Sequence, residues 1–162
     1  MSAIDDYARQ VAAAATRSGH TVAIAESLTC GRLVAALGAA PGSSAWLHGA
    51  VVAYSTAVKQ RVLGMPDAPA VSEVAASAMA GGVRELLDTD IAVSVTGVGG
   101  PDSQDGEPAG SVWLAVDSAR GIRARHELFH GTPEQVVQQT IEAALCMILD
   151  ALQEPSENRC GA

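Results

Sequence analysis

The chain is short of basic side chains, of aromatics and of cysteine, and each shortage removes a class of function. Ten Lys and Arg against eighteen Asp and Glu leave a formal charge of -8 in 162 residues. Nucleic-acid binders concentrate cations on one face, so this balance predicts no nucleic-acid partner. Lysine occurs once, at Lys59. Aromatics make up 3% of the residues, so a core has to be built from Ala, Val, Leu and Ile in close contact. The three cysteines, Cys30, Cys146 and Cys160, are widely spaced with no Cys-x-x-Cys pair. They support neither a disulfide framework nor a zinc site. His20, His48, His126 and His130 show no metal-ligand spacing either, so no metal and no cofactor is predicted. No apolar run approaches the length of a membrane span, and Asp5 and Asp6 stand where a signal peptide carries basic charge. The prediction is a cytoplasmic protein with no membrane partner.

What is present is an apolar content of 48% against 17% charged residues, the balance of a folded domain rather than of a disordered chain. Residues 1–153 are predicted to form one domain and residues 154–162, without periodicity, a frayed tail. Apolar spacing predicts a helix over 2–18 stopped by Gly19, a strand at Thr21–Ala25, and a helix after Gly31 with Ser27 or Thr29 as its cap. Pro41–Ser44 is predicted as loop, Trp46–Tyr54 as a strand broken at Gly49, and Ser55–Leu63 as a short helix ending at Gly64. A long helix capped by Ser72 carries Ala75, Ala76, Ala80, Gly81 and Gly82, little bulk for a helix lying flat on a sheet. Ile91–Val95 is a third strand, and Ser111–Val116 and Ile122–Phe129 an antiparallel hairpin. Thr132, Pro133 and Gln135 mark the start of the last helix. Strands alternating with helices and closed by a hairpin imply α/β architecture: a three-layer α/β/α sandwich around a mixed sheet of about five strands.

Three segments at the carboxyl ends of predicted strands carry the chemistry, where ligand crevices of open α/β sheets lie. The first is Ala25-Glu26-Ser27-Leu28-Thr29-Cys30-Gly31. Ser27 is either a cap or a nucleophile, with helix N-terminal amides aimed at the oxyanion formed on attack. The second is Ala53-Tyr54-Ser55-Thr56-Ala57-Val58-Lys59. A lysine entering a dehydrated crevice loses stability as a cation and can accept a serine proton, whereas on an open surface it is a solvated charge. Tyr54 is a donor to the reacting group or a packed rim residue. The spacings Tyr54 to Lys59 and Ser55 to Lys59 are each one residue too long for the Tyr-x-x-x-Lys and Ser-x-x-Lys motifs. The third, Thr96-Gly97-Val98-Gly99-Gly100-Pro101, is an amide-rich turn able to hold an anion, or simply a sharp turn. It misses the dinucleotide fingerprint because its third glycine is displaced.

Taken in order, Ala25-Glu26-Ser27-x-Thr29, Gly49-x-Val51-x-x-Tyr54-Ser55 with Lys59, Leu63-Gly64, Val71-Ser72, Thr96-Gly97-x-x-Gly100-Pro101 and Pro108-x-Gly110 resemble the C-terminal domain family of competence-damage-inducible (CinA) proteins, over about residues 5–152. Stand-alone members of that family are nicotinamide-nucleotide amidohydrolases. The resemblance implies hydrolysis of the carboxamide of nicotinamide mononucleotide to the acid and ammonia, without metal. It implies Ser27 as nucleophile, Lys59 as its base, and Tyr54 and Thr96 as supporting polar groups. A pyridine nucleotide is thus the implied small-molecule partner, with Glu26, Thr29, Gly31, Arg32, Ser55, Thr96, Gly97, Gly99 and Gly100 as candidate substrate-binding residues. Three positions depart from the family pattern: Cys30 where it has glycine, Glu107 where it has lysine, and Thr132-Pro133 where it has Asp-Arg. The last two remove cations from a phosphate site, for which Arg32 is the candidate replacement. The alternative function is therefore a catalytically silent nucleotide-binding or protein-interaction domain of the same fold. The alanine- and leucine-rich terminal helices also allow a homodimer.

Overall fold

The computed structural model describes residues 1–154; most of the predicted frayed tail, and Cys160 with it, falls outside the described residues. The elements run α1 (Ala3–Ser18), β1 (Val22–Glu26), α2 (Arg32–Gly38), α3 (Ser43–Trp46), β2 (Leu47–Val52), α4 (Thr56–Leu63), α5 (Glu73–Leu87), β3 (Ile91–Gly97), β4 (Ser111–Ser118), β5 (Gly121–Leu128) and α6 (Pro133–Gln153). They build one five-stranded sheet in the order β2-β1-β3-β4-β5. β1 pairs in parallel with β2 and β3, whereas β4 pairs antiparallel with β3 and β5. The sheet is mixed, as the strand pattern predicts.

Alternation along the strands sorts bulk between the two faces. Val22 and Ile24 of β1, Val93 and Val95 of β3 and Leu114 of β4 enter one core with α1, α2, α3 and α6. Ala23, Ala25 and Ala92 face the other way, against Leu63 of α4 and Met79 and Val83 of α5, and Ala115 meets Ala76 and Ala80 of α5. The small-residue face lets α5 lie close on the sheet. Ser94 and Thr96, on that same face of β3, spend their hydroxyls on the Ala76 and Ala70 carbonyls at 2.6 and 2.7 Å.

Helix ends follow their local chemistry. Ser2 and Asp5 form a capping box on α1, which stops at left-handed Gly19; Thr132 and Gln135 form another on α6, with Pro133 in its first turn. Two expectations need correction. Residues 41–44 are not all loop, because Ser43–Trp46 forms the one-turn helix α3, whose Trp46 is buried in the larger core. The second strand accordingly starts at Leu47 and stops at Val52, and the predicted break at Gly49 is a register shift against β1 that skips His48. The apolar faces of α1 and α6, on which the homodimer expectation rested, are packed into the same buried core.

Candidate active site

From β1 the chain passes to β2 on one side and then, through α4 and α5, crosses back to β3 on the other, so the carboxyl ends of these three parallel strands flank a topological switch point. A cleft of about 490 Å³ opens there, lined among others by Ser27, Tyr54, Lys59, Thr96, Gly97 and Gly99. The sheet thus brings together one residue or more from each of the three chemistry-bearing segments. A cavity of about 620 Å³ between β5 and the end of α6, lined by Arg123, Arg125, Asp150 and Glu154, joins no nucleophile to a base.

Ser27 follows β1 directly and is largely buried. Its hydroxyl has no hydrogen-bond partner among the described residues, so it is not the cap of α2, and neither is Thr29. Glu26 takes that role. Its carboxylate, fully buried, accepts from the amides of Gly31 (3.0 Å), Leu33 (3.2 Å) and Val34 (2.8 Å) and from the Thr29 hydroxyl (2.5 Å). The Arg32 amide donates to the Thr29 carbonyl at 3.0 Å. Every first-turn amide of α2 is therefore taken, and none is left for an oxyanion, contrary to the expectation from the strand-turn-helix pattern. Glu26, Thr29 and Gly31 shape the turn that presents Ser27 rather than lining the cleft. Within this turn Cys30 adopts φ 48°, the left-handed region that favours glycine, with its side chain exposed. The departure from glycine costs about 1–2 kcal/mol in backbone strain, without a clash.

Lys59 comes from α4, capped by Ser55, whose hydroxyl accepts from the Val58 amide at 3.3 Å. Ser55 places the helix and does not line the cleft. Lys59 is 2% exposed, and its amine has no hydrogen-bond or ion-pair partner among the described residues. Burial lowers its pKa below the usual lysine value. A buried, unpaired amine and an unbonded hydroxyl thus line the same cleft. Tyr54, in contrast, is 72% exposed at the cleft, a rim position.

The glycine turn forms the opposite part of the lining. Gly97 closes β3 where a Cβ would lie 2.7 Å from the Ser111 carbonyl oxygen, so only glycine lets β3 and the following turn pass β4 this closely. The Val98 amide is bound to the Ser111 carbonyl, but those of Gly99 and Gly100 make no hydrogen bond among the described residues. They are free donors in the cleft wall, as are the amides of Ser27, Leu28 and Thr56. Thr96 lines it too, with its hydroxyl already committed to Ala70.

Arg32 is not at the cleft. Its guanidinium forms a bidentate pair with Glu134 of α6 at 2.8 and 3.0 Å. Glu107 is likewise not among the lining residues, and its carboxylate accepts from the Ser111 hydroxyl at 2.9 Å. Residues outside the candidate set also reach the cleft: Thr56, Val71, Val137, and Asp102, Ser103 and Gln104 of the loop from Asp102 to Glu107, whose geometry the sequence reading expected to set specificity. Thr56 was detectable as the residue after the Ser55 cap; Val137 belongs to the apolar stripe of α6 and gives no sign of its second role. Among the described residues no three His, Cys, Asp or Glu side chains cluster as a metal site, and no helix is long and apolar enough to cross a membrane.

Comparison with known proteins places this arrangement. A model of the CinA C-terminal domain matches residues 4–152. A competence-damage inducible protein of Desulforamulus reducens is 43% identical over 141 residues, 84% of this chain and 34% of that protein. A CinA-like protein of Parasynechococcus marenigrum is 46% identical over 131 residues, 77% of this chain and 31% of that protein. The chain thus spans about a third of the length of these curated relatives. Among solved structures, a CinA superfamily protein of Klebsiella pneumoniae superposes with a TM-score of 0.88 at 33% identity, covering 92% of this chain and 97% of that one.

Proposed function

Since the chain belongs to the CinA C-terminal domain family, we propose that it hydrolyses the carboxamide of a pyridine nucleotide such as nicotinamide mononucleotide, with Ser27 as nucleophile and Lys59 as base. The observation that carries this reading is the pair itself: a buried lysine with an unpartnered amine, from the middle of α4, and an unpartnered serine hydroxyl just after β1, lining one cleft. Neutral Lys59 removes the Ser27 proton as Oγ attacks the carboxamide carbon. The Gly99 and Gly100 amides are among the donors available to the resulting oxyanion. The C–N bond then breaks, ammonia leaves with the proton returned by Lys59, and water cleaves the acyl-serine to the acid with Lys59 again as base.

Ammonia release from nicotinamide mononucleotide tests this directly. Ser27→Ala is expected to lose about 10³-fold or more in kcat, and Lys59→Ala about 10²–10⁴-fold. Wild-type-like rates in either variant would remove the mechanism. The second reading, a domain of the same fold that binds nucleotide without turnover, draws support from the diversion of Arg32 to Glu134 and from Pro133 at the cleft. Tight binding by the wild-type chain with no ammonia released would favour it.

A further inference from the structure

The loop between β3 and β4 lends Gly99, Gly100, Pro101, Asp102, Ser103 and Gln104 to the cleft lining. Its root is firm: the Val98 amide donates to the Ser111 carbonyl at 2.9 Å, and the Gly110 amide to the Val98 carbonyl at 2.7 Å. Its tip is closed on itself, with Asp105 and Gly106 at φ 51° and 79° between the two backbone hydrogen bonds that join Gln104 and Glu107. Among the described residues, one hydrogen bond ties 99–107 to the rest of the protein: the Glu107 carboxylate accepts from the Ser111 hydroxyl at 2.9 Å. Ser111 is fully buried at the start of β4, and its hydroxyl also lies 2.8 Å from Nε2 of His126 on β5. An ionised carboxylate only accepts, so the hydroxyl gives its one proton to Glu107 and His126 donates to Ser111 through Nε2–H. The His126 ring packs in turn on that of Trp113, with centroids 4.8 Å apart. The tether therefore runs from the cleft loop across β4 to β5. The ammonium of a lysine, which the family pattern has at position 107, is a donor only and could not accept that proton.

We propose that Glu107 is a positioning residue: through Ser111 and His126 it fixes the tip of this loop against the sheet and thereby sets how tightly the cleft holds its ligand. The backbone bonds of Val98 hold the neighbouring Gly99 without it, so its effect falls on binding rather than on the reacting atoms. The ligand class rests on the carboxamide reading above; the tether does not.

Amide hydrogen exchange of the ligand-free full chain and its Glu107→Ala variant tests the tether, and calorimetric titration with nicotinamide mononucleotide in a Ser27→Ala background tests its consequence. Glu107→Ala is expected to speed exchange in peptides spanning 99–107 by about fivefold or more, with the helices and strands unchanged. It is expected to weaken nucleotide binding by about five- to tenfold, the worth of about one hydrogen bond. With Ser27 intact, KM for ammonia release rises by the same factor while kcat falls by less than about threefold. Ser111→Ala is expected to act alike, and Glu107→Gln, which keeps an acceptor oxygen, to stay within about twofold of its parent in exchange and in affinity. Unchanged exchange at 99–107 overturns the tether, and faster exchange there with unchanged affinity overturns its role in binding. Faster exchange throughout the chain gives Glu107 an ordinary stabilising role and overturns the proposal, as does a Glu107→Gln variant as weak as Glu107→Ala. If the Ser27→Ala chain binds no nicotinamide mononucleotide, the carboxamide reading fails, and exchange at 99–107 still decides the tether.

Discussion

Burial of Lys59 beside the cleft, with no counter-charge among the described residues, disfavours the ammonium form in the folded state but not in the unfolded chain. The unfolded chain therefore holds more protons between the lowered folded pKa and the ordinary lysine value of 10.5, and stability rises with pH across that window. Below it the penalty is fully present. Lys59→Met, which keeps the stem and drops the charge, is expected to stabilise the protein at neutral pH, because it removes the cost of burying the ammonium. The gain shrinks as pH climbs toward 10.5. Denaturant melts of both proteins from pH 7 to 10 check this, and a pH-independent difference would show that burial does not perturb the amine. The same shift places the alkaline rise of kcat/KM below the usual lysine range. The sequence offered Lys59 as a solvated charge or as a base; which one holds depends on α4 packing against α5 and the sheet, which no local pattern encodes.

At the scale of elements, the turn from β1 to α2 shows where local signals run out. Ser27 and Thr29 are cap-forming residue types in the right place, yet a carboxylate at the end of the strand reaches over them to bind three amides and a hydroxyl. Backbone amides look alike in every sequence, so this role of Glu26 left no trace in residue types. The caps that were legible, Ser72 on α5 and Thr132 on α6, are those in which the side chain bonds an amide three residues on. α3, one turn long, lacks the periodicity that reveals a helix. Glu26→Gln keeps the size but replaces one acceptor oxygen with a donor that faces amide donors. It is expected to cost about 1–3 kcal/mol, the penalty of leaving buried donors unsatisfied, and to lower kcat by loosening the turn that presents Ser27. Thermal melts and ammonia release measured on one preparation check both. A variant with unchanged stability would show that the carboxylate is not what holds α2.

The whole molecule brings the site together by layering, and this part of the fold was legible because alanines and glycines on α5 declared a thin interface before the sheet order was known. Contacts across long sequence separations were not legible: Arg32 with Glu134, or Thr96 with Ala70. The two adjacent glycines of α5 separate packing from propensity. A Cβ on Gly81 would meet the Ile122 side chain at 3.6 Å and that of Asp117 at 3.8 Å, ordinary contacts. A Cβ on Gly82 would lie 2.1 Å from the Leu63 carbonyl oxygen at the end of α4. Gly81→Ala is therefore expected to stabilise by up to about 1 kcal/mol through helix propensity. Gly82→Ala has to push α4 away by roughly 1 Å to restore normal contact, at a cost of about 1–3 kcal/mol for overpacking. α4 carries Lys59, so the displacement also moves the base relative to Ser27, and a misplacement of that size lowers kcat by about 10²-fold. Melting curves and ammonia release on the two variants distinguish the outcomes. If Gly82→Ala retains wild-type kcat despite a lower melting temperature, the distance between α4 and α5 does not set the Ser27–Lys59 geometry, and the cleft tolerates movement of its base.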